Sequence, residues 1–354
     1  MDSQSPKKEF TPWVDLIRVV ATVLVVMIHV SGQITNIWGQ VPNSDWFIAN
    51  IYGGFARICV ALFFMISGYL LLPRSESLTT FYRKRLPKVV IPWVAWSLIY
   101  LGWYCGNHPG TCTPPVLQNL LLVQGTYYHL WFLRSLIGIY LILPVLRLMI
   151  HPDTDKKILW YWFGLWLIFQ PGLAIAKRFW GFETSLSAPL TIGFIGSFIL
   201  GYLLGSWNLS RLTVSLSTVA WIVASLVTVI GTYILTRTSG KFDGFFYDLI
   251  SLNVTVASAA AFLLLRWVSE SRVFASAKVH GFIRWLASGT FGIYLVHILV
   301  IEILHSWIPG IHLDSFMGNP IWSIPLATGV VFLVSFLIVR LLQKIPVLEH
   351  VVPG

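Results

Sequence analysis

The chain has 354 residues, of which 56% are hydrophobic and 11% charged, against roughly 25% charged residues in an ordinary soluble domain. That contrast excludes a soluble globular protein, because about 198 apolar positions (56% of 354) match the roughly 200 that ten bilayer-spanning helices of about 20 residues need. The 24 Lys and Arg outnumber the 14 Asp and Glu, a net charge of +10, yet no aromatic-plus-basic groove motif accompanies them, so nucleic acid is set aside as a partner.

Apolar windows long enough to span fall at residues 14–33, 47–72, 89–104, 129–150, 158–176, 189–206, 212–236, 246–267, 283–305 and 321–343. They predict an all-α, polytopic integral membrane protein of about ten transmembrane helices. With the N-terminus inside, cytoplasmic positions collect 17 of the 24 Lys and Arg and the outer loops only Lys177, Arg178, Arg237 and Lys241. Cytoplasmic loops retain positive charge, so both termini are expected in the cytoplasm. The first apolar run follows Lys7 and Lys8 as a signal peptide would, but it contains Asp15 and Arg18 and no small-residue cleavage site. It is therefore read as a retained first helix. One spanning domain, 14–343, is expected between cytoplasmic tails 1–13 and 344–354, and no stretch between helices is long enough for a soluble core. Of the three cysteines, Cys105 and Cys112 share one polar loop and either pair in an oxidising compartment or stay free thiols. No cysteine or histidine spacing suits a metal.

An ionisable side chain kept inside a bilayer costs several kcal/mol unless it is paired or hydrated, which makes each one a candidate functional group. The first window holds Asp15, Arg18 and His29. At about 100° and 1.5 Å per residue, Arg18 and His29 fall on one face about 16.5 Å apart, and Asp15 can pair with Arg18 at the cytoplasmic mouth. A helix-end charge pair plus a core histidine is the bland alternative. In the ninth window Tyr294 and His297 share a face, as do Glu302 and His305. Tyr294 and His297 are either a proton-handling pair or an interhelical staple, and Glu302 and His305 are read as a partly solvated outer end. The fourth window opens with Tyr127-Tyr128-His129-Leu130-Trp131-Phe132-Leu133-Arg134. These residues are either an interfacial belt or a surface on which a sugar stacks and hydrogen-bonds. Arg57 lies at the same outer depth as His29 and calls for a partner or an anionic ligand. Arg83, Lys84, Arg85 and Lys88 are either lipid anchors or a phosphate clamp. Ser67-Gly68-Tyr69 is a close-packing site between helices that could also border a channel.

Five blocks in order carry a resemblance: Asp15-x-x-Arg18 with ten residues to His29, Phe63-Phe-Met-Ile-Ser-Gly-Tyr69, Arg85-x-x-Lys88 before Pro92, His129-Leu-Trp-Phe-Leu133, and Gly292-Ile-Tyr-Leu-Val-His297. The chain resembles the acyltransferase-3 family, bacterial membrane O-acyltransferases of surface carbohydrates, and within it the branch that acetylates enterobacterial common antigen. The resemblance implies acetyl transfer from acetyl-coenzyme A to a carbohydrate or polyprenyl-linked glycan at the bacterial inner membrane, with no metal. It implies His29 as general base or acyl relay, with Arg18 and Asp15 beside it. Arg83, Lys84, Arg85, Lys88, Ser67 and Tyr69 would serve the donor, and Arg57, His129, Trp131, Arg134, Tyr294 and His297 the acceptor. Lys88 stands where the family usually has a second arginine, and lysine lacks the bidentate fork. A flippase for lipid-linked sugars and a non-catalytic subunit of a polysaccharide machine are the competing readings, and self-association into a homo-oligomer stays open.

Overall fold

In hydrocarbon a single segment can satisfy its own backbone hydrogen bonds only as a helix, and every regular element among the described residues is helical. The computed structural model describes residues 11–120, 125–148, 150, 155–184, 193–271, 274, 276–306 and 314–354. The expectations for residues 1–10, including Lys7 and Lys8, and for the start of the sixth window, 189–192, lie outside the described residues.

Helix α1 (Pro12–Thr35) starts on a proline, whose missing N–H costs nothing in a first turn. Helices α2 (Asn43–Ala56) and α3 (Ile58–Leu71) form one 29-residue span interrupted at Arg57. Helices α4 (Leu78–Arg85) and α5 (Pro87–Asn107) form the next, and the short α6 (Pro114–Asn119) follows outside it. A 3₁₀ turn, Tyr128–Leu130, leads into α7 (Trp131–Leu148). Helices α8 (Lys156–Leu167) and α9 (Leu173–Trp180) are joined by a π-helical turn at Pro171, which cannot donate to the α-helical ladder. The rest are α10 (Ile195–Gly205), α11 (Arg211–Ser239), α12 (Leu252–Ser269), α13 (Ala277–Ala287), α14 (Thr290–Ser306) and α15 (Pro320–Leu342).

Among the described residues eight helical segments are long and apolar enough to cross a membrane, and α13 with α14 makes a ninth if that pair, bent by 53°, is one span. Two of the expected windows take a form other than one plain long helix. The ninth window is broken at Ser288 and Gly289, where the Phe336 ring of α15 packs so close that an added Cβ on Gly289 would meet it at 2.8 Å. The described part of the sixth window is α10, 11 residues and so about 16 Å long, short of the roughly 30 Å hydrocarbon thickness. It is buried along its length. A Cβ on Gly68 would run into the Phe198 carbonyl, one on Gly201 into the Met65 backbone and one on Gly205 into the Tyr69 ring. These glycines let α3 and α10 touch backbone to backbone, the close packing that small residues provide where no hydrophobic effect joins helices.

The cytoplasmic end is tied by Arg147 of α7. It donates to the Leu71 carbonyl at 2.9 Å, pairs with Glu76 at 3.1 Å and lies 4.8 Å over the Phe81 ring of α4. At the other end of α5, Cys105 and Cys112 are joined in a disulfide with Cα atoms 5.7 Å apart. That settles the two open readings of this loop in favour of pairing.

Gly68→Ala should destabilise the protein by about 1–3 kcal/mol through overpacking against α10, read as a lower melting temperature in detergent. Gly102→Ala, where an added Cβ meets nothing within 4 Å, should change it by less than about 0.5 kcal/mol. A Gly68→Ala protein as stable as the parent would contradict this packing.

Candidate active site

On α1, Asp15 and Arg18 pair at 3.1 Å as the helical spacing predicts, and the Thr22 hydroxyl donates to the Arg18 carbonyl. The Arg18 and Arg85 charges are both felt at the Tyr140 hydroxyl of α7. Arg85 keeps its Nε buried without a hydrogen bond. Its basic neighbours do not join it. Arg83 and Lys84 are exposed, and Lys88 lines a separate cytoplasmic groove of about 380 Å³ with Gln343, Glu349 and His350.

Eleven residues further along α1, His29 stands at the end of a row of three imidazoles. Its ring centroid lies 5.2 Å from that of His297 on α14, and His297 lies 5.4 Å from His129 in the 3₁₀ turn before α7. The Tyr128 ring packs on His29 at 5.3 Å and the Tyr100 ring on His129 at 4.9 Å. His129 and His297 are buried and His29 half-buried. The His297 tautomer follows from its surroundings. Its Nδ1 lies 2.7 Å from the Tyr294 carbonyl and 3.2 Å from the Ile293 carbonyl. Carbonyls only accept, so Nδ1 carries the proton and Nε2 presents a lone pair. That Nε2 is buried with no hydrogen-bond partner, as are both ring nitrogens of His129. Among the described residues no group of three His, Cys, Asp or Glu side chains is placed to hold a metal ion.

The cluster is held by polar contacts at its outer side. The Tyr294 phenol donates to the His129 carbonyl at 2.5 Å, so it fixes the 3₁₀ turn and leaves the His297 tautomer to main-chain carbonyls. The Tyr100 phenol donates to the Leu295 carbonyl at 2.8 Å. Glu302 accepts from the Trp103 indole at 2.5 Å and from the Tyr127 phenol, binding α5, the 3₁₀ turn and α14 together. Burial, reinforced by the Glu302 carboxylate, pushes the Tyr127 phenol above its ordinary range, so it remains a donor.

The other expected site residues divide. The Arg57 guanidinium lies 4.0 Å over the Tyr247 ring, and its charge reaches His29. Trp131 stacks on Phe194 at 5.4 Å, and the Arg134 guanidinium packs over Gly125. Ser67 spends its hydroxyl on the Phe63 carbonyl at 2.8 Å, and the Tyr69 ring packs 4.6 Å from that of Trp13. Sequence reasoning missed Tyr100, Trp103 and Tyr127 as supports and took Glu302 for a solvated helix end. The available signal was a lone acid between isoleucines, Ile301-Glu302-Ile303, in a segment where an unpaired carboxylate is costly.

A family model described as an acyltransferase domain, that of the acyltransferase-3 family, matches residues 11–340. The serine/alanine racemase of Enterococcus gallinarum is 32% identical over 167 residues, which are 44% of this chain and 22% of the racemase. The chain thus spans less than a quarter of that curated relative. No solved structure matches.

Glu302→Leu strands the Trp103 and Tyr127 donors and should destabilise the protein by about 1–3 kcal/mol, with Glu302→Gln recovering part of the loss. Glu349→Gln, on the exposed C-terminal segment, serves as the neutral control. Equal melting temperatures for the Glu302→Leu and parent proteins would show that this clamp contributes nothing.

Proposed function

The chain belongs to the acyltransferase-3 family, and on that premise we propose that it moves an acetyl group from acetyl-coenzyme A to a hydroxyl of a cell-surface or lipid-linked carbohydrate. The observation that carries this reading is the row of rings in which His29 packs on His297 and His297 on His129, His29 standing on the same helix as the Asp15–Arg18 pair. The chain is a multi-pass membrane protein by its helices and its family. The bacterial inner membrane, a single domain over 14–343 and cytoplasmic termini complete the proposal. The motifs point to the branch that acetylates enterobacterial common antigen.

Coenzyme A is a polyanion. Its phosphates meet Arg85 and Arg18 from the cytoplasmic side, with the exposed Arg83, Lys84 and Lys88 drawing the donor in, while the slim pantetheine arm carries the thioester along α1 toward His29. Ser67 and Tyr69 flank that route from α3. On the acceptor side stand His129, Trp131, Arg134, Tyr294, His297 and Arg57.

Two routes use the same groups. In the direct one, His29 accepts the proton of the acceptor hydroxyl as its oxygen attacks the thioester carbonyl. The C–S bond breaks, and the leaving thiolate takes up a proton as coenzyme A. In the relay, an imidazole nitrogen of His29 attacks first and displaces the thiolate. The acceptor oxygen then attacks the acetyl-imidazole, while the Nε2 lone pair of His297 receives the hydroxyl proton. The relay needs a second base beside His29, and His297 supplies one. A positioned base is worth typically about 10²–10⁴-fold.

Purified protein in nanodiscs, given labelled acetyl-coenzyme A and a lipid-linked glycan, should form a glycan ester. His29→Ala should lower that rate by about 10²-fold or more while the protein stays inserted and folded. A near-parental rate in His29→Ala would remove His29 from the chemistry, and glycan movement without ester would make the protein a transporter.

A further inference from the structure

Arg57 is the middle residue of the 29-residue span Asn43–Leu71 and sits at the break between α2 and α3. Arginine stays protonated in proteins, so this is a permanent charge within a membrane-spanning segment, where an uncompensated cation costs several kcal/mol. Among the described residues no carboxylate pairs with it, and its Nε is buried without a hydrogen bond. Asp243, on the loop that carries Tyr247, is committed to Arg178 at 2.5 Å, and Glu302 to Trp103 and Tyr127. What Arg57 does have is a platform. The Tyr247 ring lies 4.0 Å under the guanidinium, and its hydroxyl is fixed on Asn50, 2.9 Å from the carbonyl and 2.7 Å from Oδ1. Asn50 is fixed in turn on the Val229 carbonyl at 2.9 Å. Stacking satisfies the face of the guanidinium but not its edge, which carries the N–H fork that suits a carboxylate or phosphate. A held cation with its donor edge free of protein partners among the described residues, whose charge is felt at His29, is built to receive an anion.

We propose that Arg57 receives a fixed negative charge on the acceptor, so that the acceptor is an anionic glycan or glycolipid carrying a carboxylate or phosphate near the hydroxyl to be acylated. This rests on the acyl-transfer reading and names the substrate class of that site. A cation kept only for the transient oxyanion of the thioester would stand uncompensated throughout the resting state. An anion brought by the acceptor compensates it on binding and anchors the glycan beside His29.

The test measures binding without any acyl donor, in phosphatidylcholine nanodiscs, with binding to empty discs subtracted. The probes are octyl glucuronide for a carboxylate, dodecyl glucosyl phosphate for a phosphate, and octyl glucoside as the neutral counterpart. At least one anionic probe should bind about tenfold tighter than octyl glucoside or better, and the stronger of the two identifies the anion. Arg57→Gln should bring that probe close to the neutral one, and Arg57→Lys, which keeps charge but not fork, should fall between. Equal binding of all three probes to the parent protein, or an anion preference that survives in Arg57→Gln, would overturn the proposal. The parent measurement needs no variant to fold. Since no donor is present, a negative result leaves ester formation through His29 to be judged by its own assay.

Discussion

Hydrocarbon offers a polar group no water, so each one kept at membrane depth must find its partner within the chain. The fold meets that demand in most places. Asp15 pairs with Arg18, Arg147 with Glu76 and the Leu71 carbonyl, Glu302 with Trp103 and Tyr127, and the His297 Nδ1 with main-chain carbonyls. Against this background four arginine and histidine side chains that keep a buried nitrogen without a hydrogen bond stand out: Arg85, Arg57, His129 and His297. Each is linked to the α1 stripe. The Arg85 and Arg18 charges are felt at one hydroxyl, that of Tyr140, the Arg57 charge reaches His29, and His29, His297 and His129 stand in series. Unpaired groups gathered around one helix face are what an enzyme leaves for its substrates.

Two kinds of contact hold that arrangement. Glycines let α3 and α10 meet at their backbones, which makes this part of the bundle rigid through packing alone. The opposite side depends on polar clamps, Tyr294 on the His129 carbonyl and Glu302 on Trp103 and Tyr127. The His129 position is therefore set by Tyr294, which touches it, and by Glu302 acting through Tyr127.

Local spacing made part of this legible in the sequence. The Asp15–Arg18 pair and its stripe with His29 follow from helical periodicity, and Gly68 announced close packing. What periodicity could not supply was contact between distant segments. Nothing in the order of residues says that His129, His297 and His29 touch, because that depends on how α1, α7 and α14 are arranged. Glu302 looked solvated because its position near a helix end was visible and its donors, Trp103 and Tyr127, were far away in sequence. Hydropathy did not reveal the break at Ser288-Gly289, where apolarity continues through a bend, nor that the described part of the sixth window is the 11-residue α10. Hydropathy reports apolar runs without reporting where the backbone turns. Cys105 and Cys112 were open to two readings because pairing depends on loop geometry that the spacing alone does not determine.

The account's central claim is that imidazoles from separate helices act as one unit, and a double-mutant cycle on acetyl transfer tests it most directly. His29→Ala, His297→Ala and the double variant would be compared with the parent in the same nanodiscs. If the two rings share one task, the double variant should be no slower than the more damaged single one, as for residues that act together. Losses that multiply in the double variant would show that His29 and His297 contribute independently, and would contradict a common site.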